Sequence, residues 1–141
     1  MNRLLCMLAC VLACTDASAG KSLECERYIV KGQQKSERSF YRLAYDPATS
    51  ALTYTYVSGL RIGRIPSPTS FKAVWVSSDS LRVVGQWVAA DYGSNQERWS
   101  PIYVLDVDFS KPMFKLQGFG GFADFDTMEV DPWKLECRRL D

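Results

Sequence analysis

The tripeptide Leu-Glu-Cys occurs twice, near opposite ends of the chain, as Leu23-Glu24-Cys25 and Leu135-Glu136-Cys137. In an extended strand, alternate side chains point to opposite faces, so each copy puts leucine and cysteine on one face and glutamate on the other. Two such strands lying side by side place both cysteines in one interior. We therefore predict a disulfide between Cys25 and Cys137 that joins the first and last strands; two unpaired buried cysteines are the alternative.

The first 19 residues have the features of an export signal. They combine a positive charge at Arg3, an apolar run over 4–13 and the small residues Ala17-Ser18-Ala19. This order is typical of a secretory signal peptide, and the apolar run is too short to span a bilayer as a helix. We predict a signal peptide over 1–19.

Cleavage after this signal leaves 20–141 as a single domain, and Cys25 and Cys137 as its only cysteines. The expected location is the periplasm or the extracellular space. The alternative is a bacterial lipoprotein signal over 11–14, in which Cys14 is lipidated; only then is the membrane a partner.

Strand periodicity runs through almost all of the remaining chain, and no amphipathic helix of ten or more residues is apparent. Polar turn signals such as Asp46-Pro47 separate the alternating segments. The predicted strands are 23–31, 39–45, 52–58, 71–76, 81–90, 99–109, 113–117 and 133–139.

The sixth and seventh predicted strands form a hairpin whose register follows from side-chain character. Setting Val107 opposite Phe114 puts apolar residues on one face, and the same register sets Asp106 opposite Lys115 on the other. The second pair is a favourable cross-strand ion pair. The register is therefore consistent on both faces.

The second and third predicted strands give an inner face of tyrosine and leucine when Tyr45 opposes Leu52. Tyr41, Tyr54 and Tyr56 then lie on this face. Buried tyrosine hydroxyls need hydrogen-bond partners, so we expect a core wall with such partners or, alternatively, a wall that lines a ligand.

The next hairpin places Trp75 and Trp87 on one inner face that forms part of the core, and Gly85 there leaves room for an indole ring. Successive hairpins with adjacent termini favour a closed sheet. We predict an all-β fold, a small antiparallel barrel of about eight strands in meander order, with a β-sandwich as the alternative.

Histidine is absent, which removes serine–histidine and cysteine–histidine nucleophile systems and histidine-bound zinc. No phosphate-binding loop or dinucleotide fingerprint is present. The acidic stretch 124–131 lacks the glycine and the spacing of a helix-loop-helix calcium site, so we interpret it as a solvated loop. Carboxylate-pair hydrolysis remains, but no pair stands out. We expect no enzyme, no cofactor and no metal.

Three connections are longer than a hairpin requires, namely 59–70, 91–98 and 118–132, and long connections are often functional. They carry apolar and basic side chains. These side chains either cover the core as a lid or form an exposed surface that binds a partner. The predicted binding residues are Ser58, Gly59, Arg61, Arg64, Phe119, Phe122 and Phe125.

The segment Ser58-Gly59-Leu60-Arg61 resembles part of the loop motif Ser-Ala-Ser-Gly-Ala-Arg-Tyr in the bacterial inhibitors of C-type lysozyme, which are small exported β-barrels. Ser58, Gly59 and Arg61 match, whereas the first serine and the final aromatic do not. The resemblance covers a small fraction of the chain and implies an analogous architecture with contact loops.

These observations predict an exported, non-enzymatic protein that binds another envelope protein through its loops, for example as an inhibitor of a cell-wall hydrolase. A net charge of +1 argues against a nucleic-acid partner. The alternatives are a structural envelope role and a carrier of a small apolar ligand. The residues expected to line such a carrier are Tyr41, Tyr54, Tyr56, Trp75 and Trp87.

Overall fold

The computed structural model describes residues 20–61, 65–89, 100–120 and 133–140, together with the backbone of 125–126. The predictions about the signal peptide at 1–19, Arg64, Phe122 and most of the acidic stretch lie outside these residues.

All regular structure in the described part of the chain is β-strand, as the period-two pattern predicted. The structure contains nine strands in these residues, eight of which have seven residues or more. The strands are β1 (Lys21–Lys31), β2 (Gln34–Asp46), β3 (Ala51–Gly59), β4 (Thr69–Val76), β5 (Arg82–Val88), β6 (Ile102–Asp108), β7 (Met113–Phe119), β8 (Phe125–Asp126) and β9 (Trp133–Arg139).

The strands form one antiparallel sheet in the order β8-β7-β6-β5-β4-β3-β2-β1-β9. The chain therefore runs as a meander from β1 to β8, and β9 returns to pair with β1. Strands β7 and β9 also touch, so the sheet curls into a nearly closed barrel. The predicted antiparallel barrel with adjacent termini is confirmed. No helix long and apolar enough to cross a membrane occurs in the described residues.

The predicted disulfide is present between β1 and β9. Cys25 lies directly opposite Cys137 in the strand register, and the two Cα atoms are 4.0 Å apart. The side chain of Cys25 is 2% exposed and belongs to the hydrophobic core, against which Cys137 also packs. The alternation of the two Leu-Glu-Cys tripeptides is confirmed, because Leu23 is buried while Glu136 is exposed.

Both hairpin registers derived from the sequence are confirmed. In β6 and β7, Val107 opposes Phe114 and Asp106 opposes Lys115. In β2 and β3, Tyr45 opposes Leu52, and the next inward pairs follow down to Tyr41 with Tyr56.

The inner face of the barrel is closely packed by aliphatic and phenylalanine side chains. Gly85 lies in this packing, and a Cβ there would come within 2.8 Å of the Phe71 Cβ and 3.2 Å of the Leu52 Cδ2. The glycine therefore makes room for Phe71 and Leu52 rather than for an indole. The fully buried residues of this core include Leu23, Leu43, Leu52, Phe71, Val83, Leu105, Val107 and Phe109.

The prediction that Trp75 faces the core is wrong. The register of β4 with β5 shifts between Ala73 and Trp75, so Trp75 opposes Val84 instead of continuing the inward face. Such a β-bulge adds one residue and reverses which side chains point inward beyond it. Trp75 is 51% exposed as a result, and Val76 packs against the core in its place. Trp87 does pack against the core, as predicted.

The outer face of β9, β1 and β2 carries a network of ion pairs. Glu24 lies between Arg42 at 2.8 Å and Arg138 at 2.6 Å, which are its direct neighbours on the two flanking strands. Lys35 bonds both Glu26 at 3.1 Å and Glu136 at 2.5 Å. Charges thus join all three strands on the outside, and the disulfide joins β1 and β9 on the inside.

Removing the disulfide should lower the free energy of unfolding by about 4–5 kcal/mol, because the bond closes a loop with a sequence separation of 112 and restricts the unfolded chain. Urea unfolding of the oxidised protein and of the double variant Cys25→Ser/Cys137→Ser measures this difference. Reductant should lower the unfolding midpoint of the unmodified protein and leave that of the double variant unchanged. Equal unfolding midpoints for the two proteins would contradict the prediction.

Stability should fall in acid partly through Glu24. Hydrogen bonds from Arg42 and then Arg138 lower the pKa of this carboxyl. A carboxyl with a depressed pKa in the folded state stabilises the protein above its unfolded pKa of about 4.3, and this contribution is lost as the pH falls through the folded pKa.

The drop in Tm between about pH 5 and pH 3 should therefore be smaller for Glu24→Gln than for the unmodified protein. Glu37→Gln, which removes a solvent-exposed partner of Lys31, serves as the matched control. Identical pH slopes for the unmodified protein and Glu24→Gln would refute this role of Glu24.

Candidate functional site

The two ends of the barrel differ in their connections. At one end, here called the turn end, successive strands are joined by 47–50, 77–81 and 109–112. At the other end, the loop end, lies the hairpin between β1 and β2. Three longer segments also start and finish at this end, namely 60–68, 89–101 and 120–132, the last of which contains β8. All three long connections predicted from sequence therefore leave from one end of the barrel.

The structure brings several predicted site residues to the loop end. Ser58, Gly59 and Arg61 are exposed where β3 finishes, and Phe119 is 49% exposed where β7 finishes. Strands β3 and β7 are four positions apart in the sheet, so these residues share one rim but not one patch. The backbone of Phe125 pairs with Gly118 in β8.

The backbone around Gly59 is held firmly against β2. The Leu60 amide donates to the Arg38 carbonyl at 3.1 Å, and the Ser39 hydroxyl donates to the Leu60 carbonyl at 2.6 Å. The Tyr56 hydroxyl donates to the Gly59 carbonyl. Gly59 has a φ of 95°, and a Cβ there would lie 2.0 Å from the Arg38 carbonyl oxygen. Only glycine fits this position without a shift of the backbone.

The described parts of the following loop fold back over the barrel. Ile65 is 2% exposed and joins the core, while Arg61 donates to its carbonyl at 2.7 Å. Ser67 bonds the backbone of Tyr56 and precedes a cis peptide to Pro68. The loop therefore combines both roles weighed from sequence: Ile65 caps the core, whereas Leu60, 50% exposed, and Arg61 face solvent.

A row of exposed apolar side chains lies on the outer rim of the loop end. Val88, Ile102 and Phe119 are direct neighbours across β5, β6 and β7, and they are 52%, 37% and 49% exposed. Sequence reasoning identified only Phe119, because isolated apolar residues at strand ends carry no signal until the register shows that they are adjacent.

The tyrosine wall predicted from β2 and β3 lies inside the barrel towards the loop end. The Tyr41 ring is 5.6 Å from that of Tyr54 and 6.2 Å from that of Tyr56, measured between centroids, and Phe114 packs edge-on at 5.8 Å. Burial raises the pKa of Tyr41 and of Tyr54, so both hydroxyls are neutral at physiological pH. Within the described residues, the buried Tyr41 hydroxyl makes no hydrogen bond of normal geometry, although the Ser39 and Tyr54 hydroxyls lie close enough to affect its pKa.

Arg27 faces the same interior, a placement that sequence reasoning missed. It follows Leu23 and Cys25 on the inner face of β1 and is 9% exposed. Its guanidinium lies 3.8 Å from the centroid of the Trp133 ring. The alternation of side chains along a strand, applied from Cys25, would have predicted that Arg27 points inward.

No protein-family model, curated protein or solved structure matches this chain. Within the described ranges, no three histidine, cysteine or carboxylate side chains are grouped so as to hold a metal ion. The function is therefore argued from the geometry of the loop end.

Gly59→Ala should destabilise the loop end, because the added methyl group would overlap the Arg38 carbonyl. We expect a loss of about 1–3 kcal/mol in the free energy of unfolding. Gly32→Ala is the control, since its φ is also positive, at 66°, but a Cβ there meets no atom within 4 Å. Equal losses in the two variants would show that the carbonyl contact is unimportant.

Proposed function

We propose that the protein is an exported, non-enzymatic binding module of the bacterial envelope that contacts another protein through the loop end of its barrel. The observation that carries this proposal is the concentration of long connections and exposed apolar side chains at that one end. Connections carry binding residues more often than the strands that position them, and the barrel supplies a rigid support.

The turn end offers a sharp contrast. Each of its three turns is held by one aspartate, Asp46, Asp79 or Asp108, that accepts hydrogen bonds from the residues of its own turn. Short turns bonded to themselves leave few groups free for a partner. The loop end presents Leu60, Arg61 and the row ending at Phe119, a combination of apolar side chains and arginine that is typical of protein interfaces.

Inhibition of a cell-wall hydrolase is the concrete form of this proposal. Ser58 and Arg61, two of the residues that resemble the lysozyme-inhibitor motif, are exposed on a firmly held turn. Glycoside hydrolases cleave their substrates with a pair of carboxyl groups, and a guanidinium is the side chain best suited to bind a carboxylate. A rigid turn that presents Arg61 could therefore enter such a cleft with little loss of conformational entropy.

Export is part of the same proposal. The signal pattern over 1–19 supports it, and so does the disulfide, since disulfides persist in oxidising compartments such as the periplasm.

The test is binding and inhibition with the oxidised protein. Residues 20–141 would be immobilised and exposed to a panel of C-type and other lysozymes and to envelope extract, and any lysozyme that binds would be assayed for cell-wall hydrolysis. We expect one partner to be retained and its binding to weaken at least about tenfold with Arg61→Ala and with Phe119→Ser.

Two matched variants at the turn end control for loss of the fold. Met113→Ser removes an exposed apolar side chain, 41% exposed, from the other end of the same strand as Phe119. Lys111→Ala removes an exposed cation from a turn. Neither should weaken binding. A partner that is lost equally with turn-end and loop-end variants, or the absence of any saturable partner, would refute the proposal.

A further inference from the structure

Arg27 is a cation enclosed in the barrel interior. An arginine side chain keeps its proton in proteins, and a buried charge is costly unless it is paired and hydrogen-bonded. Burial of Arg27 does lower its pKa, which is the mark of an unfavourable environment for the charged form. Either groups of the protein interior stabilise this charge, or it remains without an anionic partner.

The contacts of Arg27 within the described residues compensate it only in part. Trp133 stacks on the guanidinium with 3.8 Å from the Cζ to the ring centroid, a favourable cation–π contact. Stacking covers the face of the guanidinium group. It does not provide acceptors for the N–H groups, because these point outward within the plane of the group. The Nε atom is buried with no hydrogen-bond partner, and no carboxylate among the described residues forms an ion pair with Arg27.

The carboxylates of the neighbouring strands are turned away from Arg27. The alternation that directs Arg27 inward directs Glu24 and Glu26 outward, and Glu136 also lies on the outer face. Each of these three is already bonded to cations there. The acids of β1 and β9 thus lie outside, and Arg27 is the only buried charged side chain among the described residues.

A second orphaned donor lies beside Arg27. Tyr41 opposes Cys25 and Ser39 opposes Arg27, so Tyr41 and Arg27 are diagonal neighbours on the inner face of β1 and β2. In the part of the chain that the structure describes, the buried Tyr41 hydroxyl has only the Ser39 and Tyr54 hydroxyls near it and bonds neither with normal geometry. The guanidinium Nε–H and the phenol O–H therefore lie on the same inner face, and neither makes a hydrogen bond of normal geometry within the described residues.

Arg27 and Tyr41 lie at the level of the loop end rather than at the turn end. Ser39, which opposes Arg27, also opposes Gly59, the last residue of β3. Arg61 lies above it, with its Cζ 5.8 Å from the centroid of the Tyr56 ring. Burial is the main cause that raises the pKa of Tyr54, and the charges of Arg61 and Arg27 act in the opposite direction, so both guanidinium groups lie near this ring.

We propose that the barrel interior between β1, β2, β3 and β9 binds a small organic monocarboxylate, whose carboxylate group accepts hydrogen bonds from Arg27 and Tyr41 while its apolar part lies against aromatic rings. A carboxylate matches the planar fork of a guanidinium. One buried positive charge neutralises one negative charge, which favours a monoanion over a dianionic phosphate. This site is separate from the outer rim and does not depend on the proposed protein partner.

The experiment titrates acetate, hexanoate, decanoate, benzoate and phenylacetate into the oxidised protein at constant ionic strength, followed by calorimetry and by the shift in Tm. The corresponding primary amides, which keep the shape and lose the charge, are titrated in parallel. We expect at least one of the larger carboxylates to bind saturably and to raise Tm, and its amide to bind at least about tenfold more weakly.

Three variants locate the site. Arg27→Met keeps the apolar stem and removes the charge, and should weaken carboxylate binding about a hundredfold. Tyr41→Phe removes one hydroxyl from a packed ring and should weaken it about tenfold. Tyr45→Phe makes the same change in an inward tyrosine at the turn end, 6% exposed, and should leave binding unchanged.

The proposal fails if no carboxylate in the panel binds saturably, if the amides bind as tightly as the acids, or if Tyr41→Phe binds like the unmodified protein. Should Arg27→Met not fold, Tyr41→Phe against Tyr45→Phe still decides the question. Loss of lysozyme or envelope-protein binding at the rim has no effect on this result, so the two proposals stand or fall independently.

Discussion

The pairing of β9 with β1 is the constraint on which the rest of the barrel depends. A meander of strands by itself leaves β1 as an open edge, and an open edge exposes unpaired backbone groups. Here β9, the last strand in the sequence, pairs with β1 and covers that edge, and the Cys25–Cys137 bond fixes the two strands one pair away from the centre of their register. The same register sets Glu26 opposite Glu136, a repulsive pair that Lys35 relieves by bonding both.

This pairing also creates the interior of the loop end. Once Cys25 is fixed opposite Cys137, alternation directs Arg27 inward. Trp133 lies on β9 two residues from Leu135, which opposes Arg27, and its ring covers the guanidinium. β-bulges between Arg27 and Ile29 and between Phe40 and Tyr41 lie at the same level. Bulges bend strands and increase their twist, so these two shape the loop end, as the bulge between Ala73 and Trp75 shapes β4 near the turn end.

The regular parts of the fold were predictable because side-chain parity is a local property. Val107 with Phe114 and Tyr45 with Leu52 could be paired from the chain alone, since short turns leave little freedom of register. Trp75 was misplaced because the bulge before it depends on how β4 meets β5, which no local pattern records. Arg27 was missed for a different reason: charged residues on strands are usually solvated, so parity and charge gave opposite predictions.

The distribution of polar groups differs between the two ends of the barrel. The turn end packs Leu43, Val107 and their neighbours with no exposed surface, and its turns bond to themselves. The loop end tolerates a buried cation and an unpartnered hydroxyl, both of which destabilise the folded state in the absence of an acceptor. Sites built for ligands commonly break the rules that the rest of a fold obeys, because the missing partner is supplied on binding. An interior that served only stability would place methionine or leucine at position 27, where a well-packed apolar side chain is often as stable as a buried ion.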